Sequence, residues 1–281
     1  SGVVGIVKKE ISSLQNPHWK RVCALSQRKY REQHGSFLVE GVRAVEVILQ
    51  SAGLQYEIWA TEAGLQASGL TIAEKVPLFI VPSKMFKALA QTEASQEIAA
   101  VVKTASLPKE TDIQSGPIAV LCGVQDPGNA GTIVRLAAAA ECAAVWTTKG
   151  TVDLFNDKAV RSSMGTILQI PVVQQIIPKD LYDAARKRQM PLWATTLGES
   201  VSYEMMPSQR NVFWLFGNEG KGIPEEILQQ ADARFHIPIS PTVESLNVAM
   251  AAAIILFHHR LVREGTGYDG TSRELAKSME K

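Results

Sequence analysis

Short, wholly apolar runs bounded by turn residues constrain this chain more than any other feature. Ile118-Ala-Val-Leu-Cys122 lies between Gly116-Pro117 and Gly123, and Val212-Phe-Trp-Leu-Phe216 ends on Gly217. Runs of this length without polar alternation suit strands buried on both faces. Further strands are expected from Ala143 to Thr147, Leu192 to Thr195 and Phe235 to Ile239. Between them the spacing predicts helices from Gly131 to Cys142 and from Pro224 to Gln230, and a long one from Leu246 to Arg263. Strands separated by helices imply an α/β fold, with a mostly parallel sheet and helices on both faces.

Upstream, strand-like Phe37 to Glu40 precedes helical spacing from Gly41 to Ser51. Tyr56 to Ala60 and Pro77 to Val81 read as strands and Lys84 to Ala90 as a helix, together a small α/β domain. The polar stretch 106–116, with its Pro and Gly, reads as a linker. The expected division is therefore a first domain 1–105, linker 106–116, second domain 117–264 and polar tail 265–281.

Ligands of parallel sheets bind outside the carboxyl ends of strands. Three polar loops follow three of these strands. The first is Gln125-Asp-Pro-Gly-Asn129, running on through Gly131 to Arg135; if Gly131 opens the helix, Arg135 lies about one turn inside it. The second is Gly217-Asn-Glu-Gly-Lys-Gly222, and the third runs from Ser240 to Asn247. The glycines of the second loop do not make a Walker loop, because Gly222 rather than Ser or Thr follows Lys221. No GxGxxG follows the first strand either, which counts against an ordinary Rossmann-type site. Ser245 and Asn247 sit where they could cap the last helix or face a ligand at its start.

The net charge is only +1, which excludes a protein that holds polyanions by bulk charge. Within 1–40, however, seven basic side chains (Lys8, Lys9, Lys20, Arg21, Arg28, Lys29, Arg31) face three acidic ones, with His18, Trp19, Tyr30 and His34 interleaved. That composition suits phosphate contact with base stacking, and equally a solvated helix face. Three cysteines without CxxC spacing argue against a zinc site or disulfide framework and for buried thiols in a reducing, cytoplasmic setting. No secretory signal is visible. The longest apolar run, Val248 to Phe257, is about half of the ~20 residues a bilayer requires.

In this order and spacing the loops resemble the SpoU/TrmH family of the SPOUT methyltransferase superfamily, over most of residues 117–262. Asp126-Pro-Gly-Asn-Ala-Gly-Thr-Ile-Val-Arg135 resembles that family's first motif, and Leu215-Phe-Gly-Asn-Glu-Gly-Lys-Gly222 its second. Ile237-Pro-Ile-Ser with Val243-Glu-Ser-Leu-Asn-Val-Ala-Met250 resembles its third. Val160-Arg-Ser-Ser-Met-Gly165 resembles an intermediate segment. Arg28-Lys-Tyr-Arg31 and Phe37-Leu-Val-Glu-Gly41 are similar to the substrate-binding domain fused ahead of many members, itself like ribosomal proteins that bind RNA.

The resemblance implies S-adenosylmethionine as methyl donor, no metal, and an RNA ribose 2′-hydroxyl as acceptor. Ribosomal RNA is favoured over transfer RNA, and a catalytically idle RNA-binding or ribosome-assembly factor is the rival of a different class. It further implies a trefoil knot in the catalytic domain, a homodimer and no membrane. Thr196, Leu197 and Gly198 are expected beside the donor, with Phe216, Gly217 and Gly220 from the second loop. Ile237, Ser245, Leu246 and Asn247 complete that set. Asn129, Arg135, Glu219, Ser245 and Asn247 are expected at the reaction centre, where Glu219 could orient Arg135 and a residue of the other subunit could take part. Arg28, Lys29 and Arg31, with Arg135, are expected to touch RNA.

Overall fold

Two sheets form, one from each half of the chain, in a computed structural model that describes residues 8–265. All but the first residue of the expected polar tail lies outside the described residues. In the first half, β1 (Lys8–Glu10), β2 (Ser36–Glu40), β3 (Tyr56–Ala60), β4 (Leu78–Ile80) and β5 (Ile98–Lys103) order as β1-β4-β3-β5-β2. Its helices are α1 (Pro17–Ala24), α2 (Arg28–His34), α3 (Val42–Gln50), α4 (Glu62–Ser68) and α5 (Ser83–Phe86). β5 runs antiparallel to β2 and β3, which makes this sheet mixed.

The second half builds a seven-stranded sheet. Its strands are β6 (Ile118–Cys122), β7 (Ala144–Thr148), β8 (Val172–Ile176), β9 (Leu192–Thr195), β10 (Val201–Ser202), β11 (Phe213–Gly217) and β12 (Ala233–His236). Its helices are α6 (Pro127–Ala139), α7 (Asp157–Ser162), α8 (Pro178–Arg188), α9 (Glu225–Leu228) and α10 (Val248–Arg263). The order is β10-β12-β9-β11-β6-β7-β8, and every pairing in it is parallel. The α/β architecture with helices on both faces is as expected. Along β6, Ala119 and Leu121 enter the core on one face, whereas Ile118, Val120 and Cys122 enter a second core on the other. That is why the run carries no polar alternation.

Several boundaries differ from the expectation. α6 opens at Pro127, four residues before Gly131, because Asp126 caps it by accepting from Asn129 N at 2.7 Å. Proline at the first helical position needs no donor there. Arg135 consequently lies more than two turns inside the helix. Gly131 is instead a contact point: a Cβ there would lie 2.2 Å from the Ala159 carbonyl oxygen of α7. α5 and α9 are single turns, shorter than their apolar spacing predicts. The linker carries short 3-10 turns at Thr104–Ser106 and Glu110–Asp112. It does not separate two isolated cores, since one apolar cluster includes Phe37, Val102 and Leu107 together with Leu121, Ile133 and Ile255.

α10 buries Ala249, Ala252, Ile255, Leu256 and His259 along one face. The His259 ring is packed edge-on to Trp193 and Trp214, and its Nε2 lies 2.6 Å from the Gln209 carbonyl oxygen. As the neutral tautomer it donates that proton to the carbonyl. Burial pushes its pKa down from 6.5 to about 4, against the opposing pull of the Gln209 carbonyl. The folded state therefore binds this proton less readily than the unfolded chain. Stability is expected to be level above pH 6.5 and to fall as the pH drops from there toward 4. Urea midpoints at pH 7, 6 and 5 check this, and His259→Gln should flatten the trend. Cys122 and Cys142 are buried free thiols, each pushed by burial up to about 12. No helix among the described residues is long and apolar enough to cross a membrane.

Candidate functional site

The carboxyl ends of β6, β9, β11 and β12 lie on one edge of the sheet, and the loops that leave β9, β11 and β12 enclose a cleft of about 430 Å³. Backbone geometry closes the loop after β11. Asn218 and Gly222 exchange two backbone hydrogen bonds of 3.0 Å, while Asn218 Oδ1 accepts from Gly220 N and Lys221 N. Only glycine fits at 217, where a Cβ would lie 2.3 Å from the Gly222 carbonyl carbon. Gly222 has φ +70°, the left-handed region that glycine adopts without strain. The loop after β9 is closed by Ser200, whose hydroxyl meets the Gly198 carbonyl at 2.8 Å and His236 Nδ1 at 2.9 Å.

Eight of the ten residues expected beside a donor line this cleft: Thr196, Leu197 and Gly198, Gly217 and Gly220, and Ile237, Ser245 and Leu246. Phe216 does not. The strand alternation turns its side chain into the core, where it is fully buried. Asn247 lies at the rim and caps α10, its Oδ1 accepting from Ala249 N (2.8 Å) and Met250 N (3.2 Å). Sequence reasoning missed Asn218, His236 and Ser200, which shape the walls. Of these, only Asn218 carried a signal, its place among the loop glycines.

Three of the five expected reaction-centre residues form one hydrogen-bonded chain. Asn247 Nδ2 donates to Asn129 Oδ1 at 3.0 Å, and Asn129 Nδ2 donates to Glu219 Oε1 at 3.4 Å. Glu219 also accepts from Gln125 N (3.1 Å) and Asp126 N (3.0 Å) of the first loop. Burial pushes the Glu219 carboxyl up, but bonds from its own backbone amide and those of Asp126 and Gln125, with the Asn129 amide, outweigh that and hold it below the usual carboxylate range. The chain has one possible polarity. Because Asn247 Oδ1 is committed to α10, its NH₂ must face Asn129, and the NH₂ of Asn129 must then face the carboxylate. Each amide keeps one N–H free among the described residues. Ser245 is exposed at the cleft, with no hydrogen-bond partner among the described residues.

Arg135 is not part of this chain, and the expected Glu219–Arg135 contact is not made. Six residues on from Asn129, Arg135 sits about 9 Å along α6 and about a third of a turn round it. It is exposed, and its side chain has no hydrogen bond or ion pair among the described residues.

The expected RNA contact through α2 also needs correction. Arg31 is buried, with Nη2 and Nε 2.8 and 3.0 Å from Asp153 Oδ2 and Nη1 bonded to the carbonyls of Leu25 and Ser26. Arg28 pairs with Glu32 at 2.9 Å, and with the Gln175 amide turned oxygen-first it also donates to that residue. Trp19 is a core residue against Trp59. Lys29 remains exposed, over the ring of Tyr30, as does Lys20. Among the described residues no group of three or more His, Cys, Asp or Glu side chains is placed to hold a metal.

The chain is similar to known proteins. Residues 116–257 match the SpoU rRNA Methylase family, and 16–100 match the MRM3-like substrate binding domain. The chain is 34% identical over 252 residues to the 23S rRNA (guanosine(2553)-2'-O)-methyltransferase RlmP of Bacillus subtilis, covering 90% of this chain and 99% of that protein. Human mitochondrial rRNA methyltransferase 3 is 27% identical, over 87% of this chain and 72% of its own. The AdoMet-bound rRNA methyltransferase from Sinorhizobium meliloti superposes with a TM-score of 0.77 at 29% identity, over 90% of this chain and 98% of that one.

Proposed function

The chain belongs to the SpoU rRNA Methylase family, and on that premise we propose that it transfers a methyl group from S-adenosylmethionine to a ribose 2′-hydroxyl of RNA, ribosomal RNA in particular. The observation that carries the reading is the Glu219–Asn129–Asn247 chain beside a glycine-edged cleft. The cleft's volume is within the roughly 300–1,000 Å³ of small-molecule sites. Gly198, Gly217 and Gly220 would let a donor approach the backbone, and Leu197, Ile237 and Leu246 would cover its apolar faces. Bound there, the donor supplies a methyl group already made electrophilic by its sulfonium.

The task left to the protein is to align a ribose oxygen and manage its proton. The free N–H groups of Asn129 and Asn247 are fixed donors suited to hold ribose oxygens. Glu219 stays ionised at neutral pH and keeps Asn129 in one orientation, a positioning role. Arg135 brings positive charge to the hydroxyl; a guanidinium does not release its proton in proteins, so its effect is through its field. A single chain keeps Arg135 away from the cluster, which supports its supply by the other protomer of a homodimer. α10 also exposes Met250, Ile254 and Phe257 in a row, a face suited to that contact. The strand order supports a knotted passage, since β12 fills a slot between β9 and β10 and the short segment 196–200 must cross its end. The buried thiols support a reducing, cytoplasmic setting.

Isotope-labelled donor should pass its methyl to ribosomal RNA from cells lacking the gene, and nuclease digestion should recover a 2′-O-methylated nucleotide. Label on a base, or none, overturns the reaction; label on transfer RNA alone overturns the substrate. Lys20→Glu with Lys29→Glu is expected to weaken RNA binding and lower its salt slope by about two. Titrations of affinity against salt check it.

A further inference from the structure

The Arg31–Asp153 pair joins the two halves of the molecule. Both side chains are nine-tenths buried, and they lie 122 residues apart in sequence. Asp153 is itself fixed, since its Oδ1 accepts from Phe155 N (3.1 Å) and Gln174 Nε2 (3.2 Å). Phe155 packs against Phe37 of β2, ring centres 4.7 Å apart. Arg28 reaches Gln175 on β8 from the same helix. The face of α2 that the sequence offers to RNA thus docks on the catalytic half.

Asp153 belongs to the segment 149–156, and that segment is stitched to the first site loop. Thr151 Oγ1 accepts from Gly123 N and donates to the Leu121 carbonyl, both at 2.9 Å. Val152 N donates to the Val124 carbonyl at 2.9 Å, and Gln125 Nε2 donates to the Gly150 carbonyl. The next two amides of that loop, Gln125 N and Asp126 N, are the ones that hold Glu219. A continuous set of bonds therefore runs from α2 to the Glu219–Asn129–Asn247 chain.

We propose that Arg31 and Asp153 are positioning residues for methyl transfer: they clamp the RNA-binding half onto the 149–156 segment and so fix how far bound RNA sits from the reaction centre. The inference rests on the RNA methyltransferase reading. A buried ion pair need not add net stability, but it specifies one geometry when the alternatives leave a charge unpaired. RNA gripped by the first domain is then presented to the cleft by a rigid body. Placement within about an ångström is what such alignment requires, and its loss is read in turnover.

Asp153→Asn keeps an acceptor for Phe155 N and removes the charge; Arg31→Lys keeps the charge and removes the fork. Thermal melting establishes that each variant folds. Donor affinity by calorimetry is expected to stay within about twofold, and kcat on an RNA that the wild type methylates to fall at least about tenfold, with KM changing by less than about threefold. Spin labels at Lys84→Cys and Lys187→Cys in a Cys23→Ser background, diluted with unlabelled protein, report the distance between the halves. The wild-type pair is expected to give one narrow distribution and Asp153→Asn a broadened one. Unchanged kcat in both folded variants, or an unbroadened distribution, overturns the proposal. If the wild type methylates no RNA, the functional reading fails instead and the label distances alone decide whether the clamp exists.

Discussion

Arg135→Ala lowers methyl transfer by about a hundred- to a thousand-fold, the usual loss when one transition-state charge contact is removed. Donor affinity stays within a few-fold, because Arg135 does not line the cleft. Single-turnover transfer and calorimetry measure the two effects separately. The stronger test mixes two inactive variants. In a dimer of Arg135→Ala with Asn129→Ala, one site has an intact Asn129 and receives an intact Arg135 across the interface. Random mixing makes half the dimers mixed, each with one good site, so about one quarter of wild-type activity returns. If Arg135 serves its own chain, mixing restores nothing. Wild-type turnover by Arg135→Ala alone removes the residue from the reaction.

Gly217→Ala abolishes donor binding at concentrations that saturate the wild type. The added methyl would sit 2.3 Å from the Gly222 carbonyl carbon and 2.4 Å from Ile223 N, and backbone on both sides cannot yield as a flexible side chain could. Forcing it open breaks the Asn218–Gly222 bonds that shape the loop. Overpacking of this kind costs about 1–3 kcal/mol, so a lower melting temperature is expected as well. Gly220→Ala is the informative companion. The nearest protein atom to its added Cβ is Asn218 Oδ1 at 3.8 Å, so the fold tolerates it. A loss of donor affinity with an unchanged melting temperature then places the ligand against that methylene-sized space. Wild-type donor affinity in Gly217→Ala would mean that this loop does not form the site.

What the sequence made legible follows from where the information sits. β6 and β11 are covered on both faces, so their apolar runs stand out without any alignment. β8 is an edge strand reading Val-Val-Gln-Gln-Ile, broken by two polar residues because Gln174 bonds Asp153 and Leu154 and Gln175 meets Arg28, and it carried no such signal. β5, Ile-Ala-Ala-Val-Val-Lys, escaped notice because its alanines suit helices as well. The cleft was readable because Gly198, Gly217 and Gly220 do their work within three residues of a strand end. Arg31 was misread because its burial depends on Asp153, far along the chain. The intrachain partners of Glu219 were hidden for the same kind of reason: the resemblance set it with Arg135 at one reaction centre, whereas within the chain the fold pins it to the amides of Gln125 and Asp126. Charged residues reveal their type in a sequence, but not which other charge the fold will set beside them.

The slot that β12 fills has a consequence for how the molecule is made. β9 and β10 leave the ribosome first, and the stretch from Tyr203 to Asp232 must follow before the strand between them exists. Until then β9 presents a bare, unpaired edge, the kind of surface that invites aggregation. Non-local pairings of this sort form late, because loop closure must come first. The cleft, whose walls include the residues after β12, is therefore the last part of the sheet to exist. A nascent chain stalled before Ala233 would hold most of its hydrophobic core and no place for a ligand, which makes donor binding a report on completed synthesis as much as on the fold.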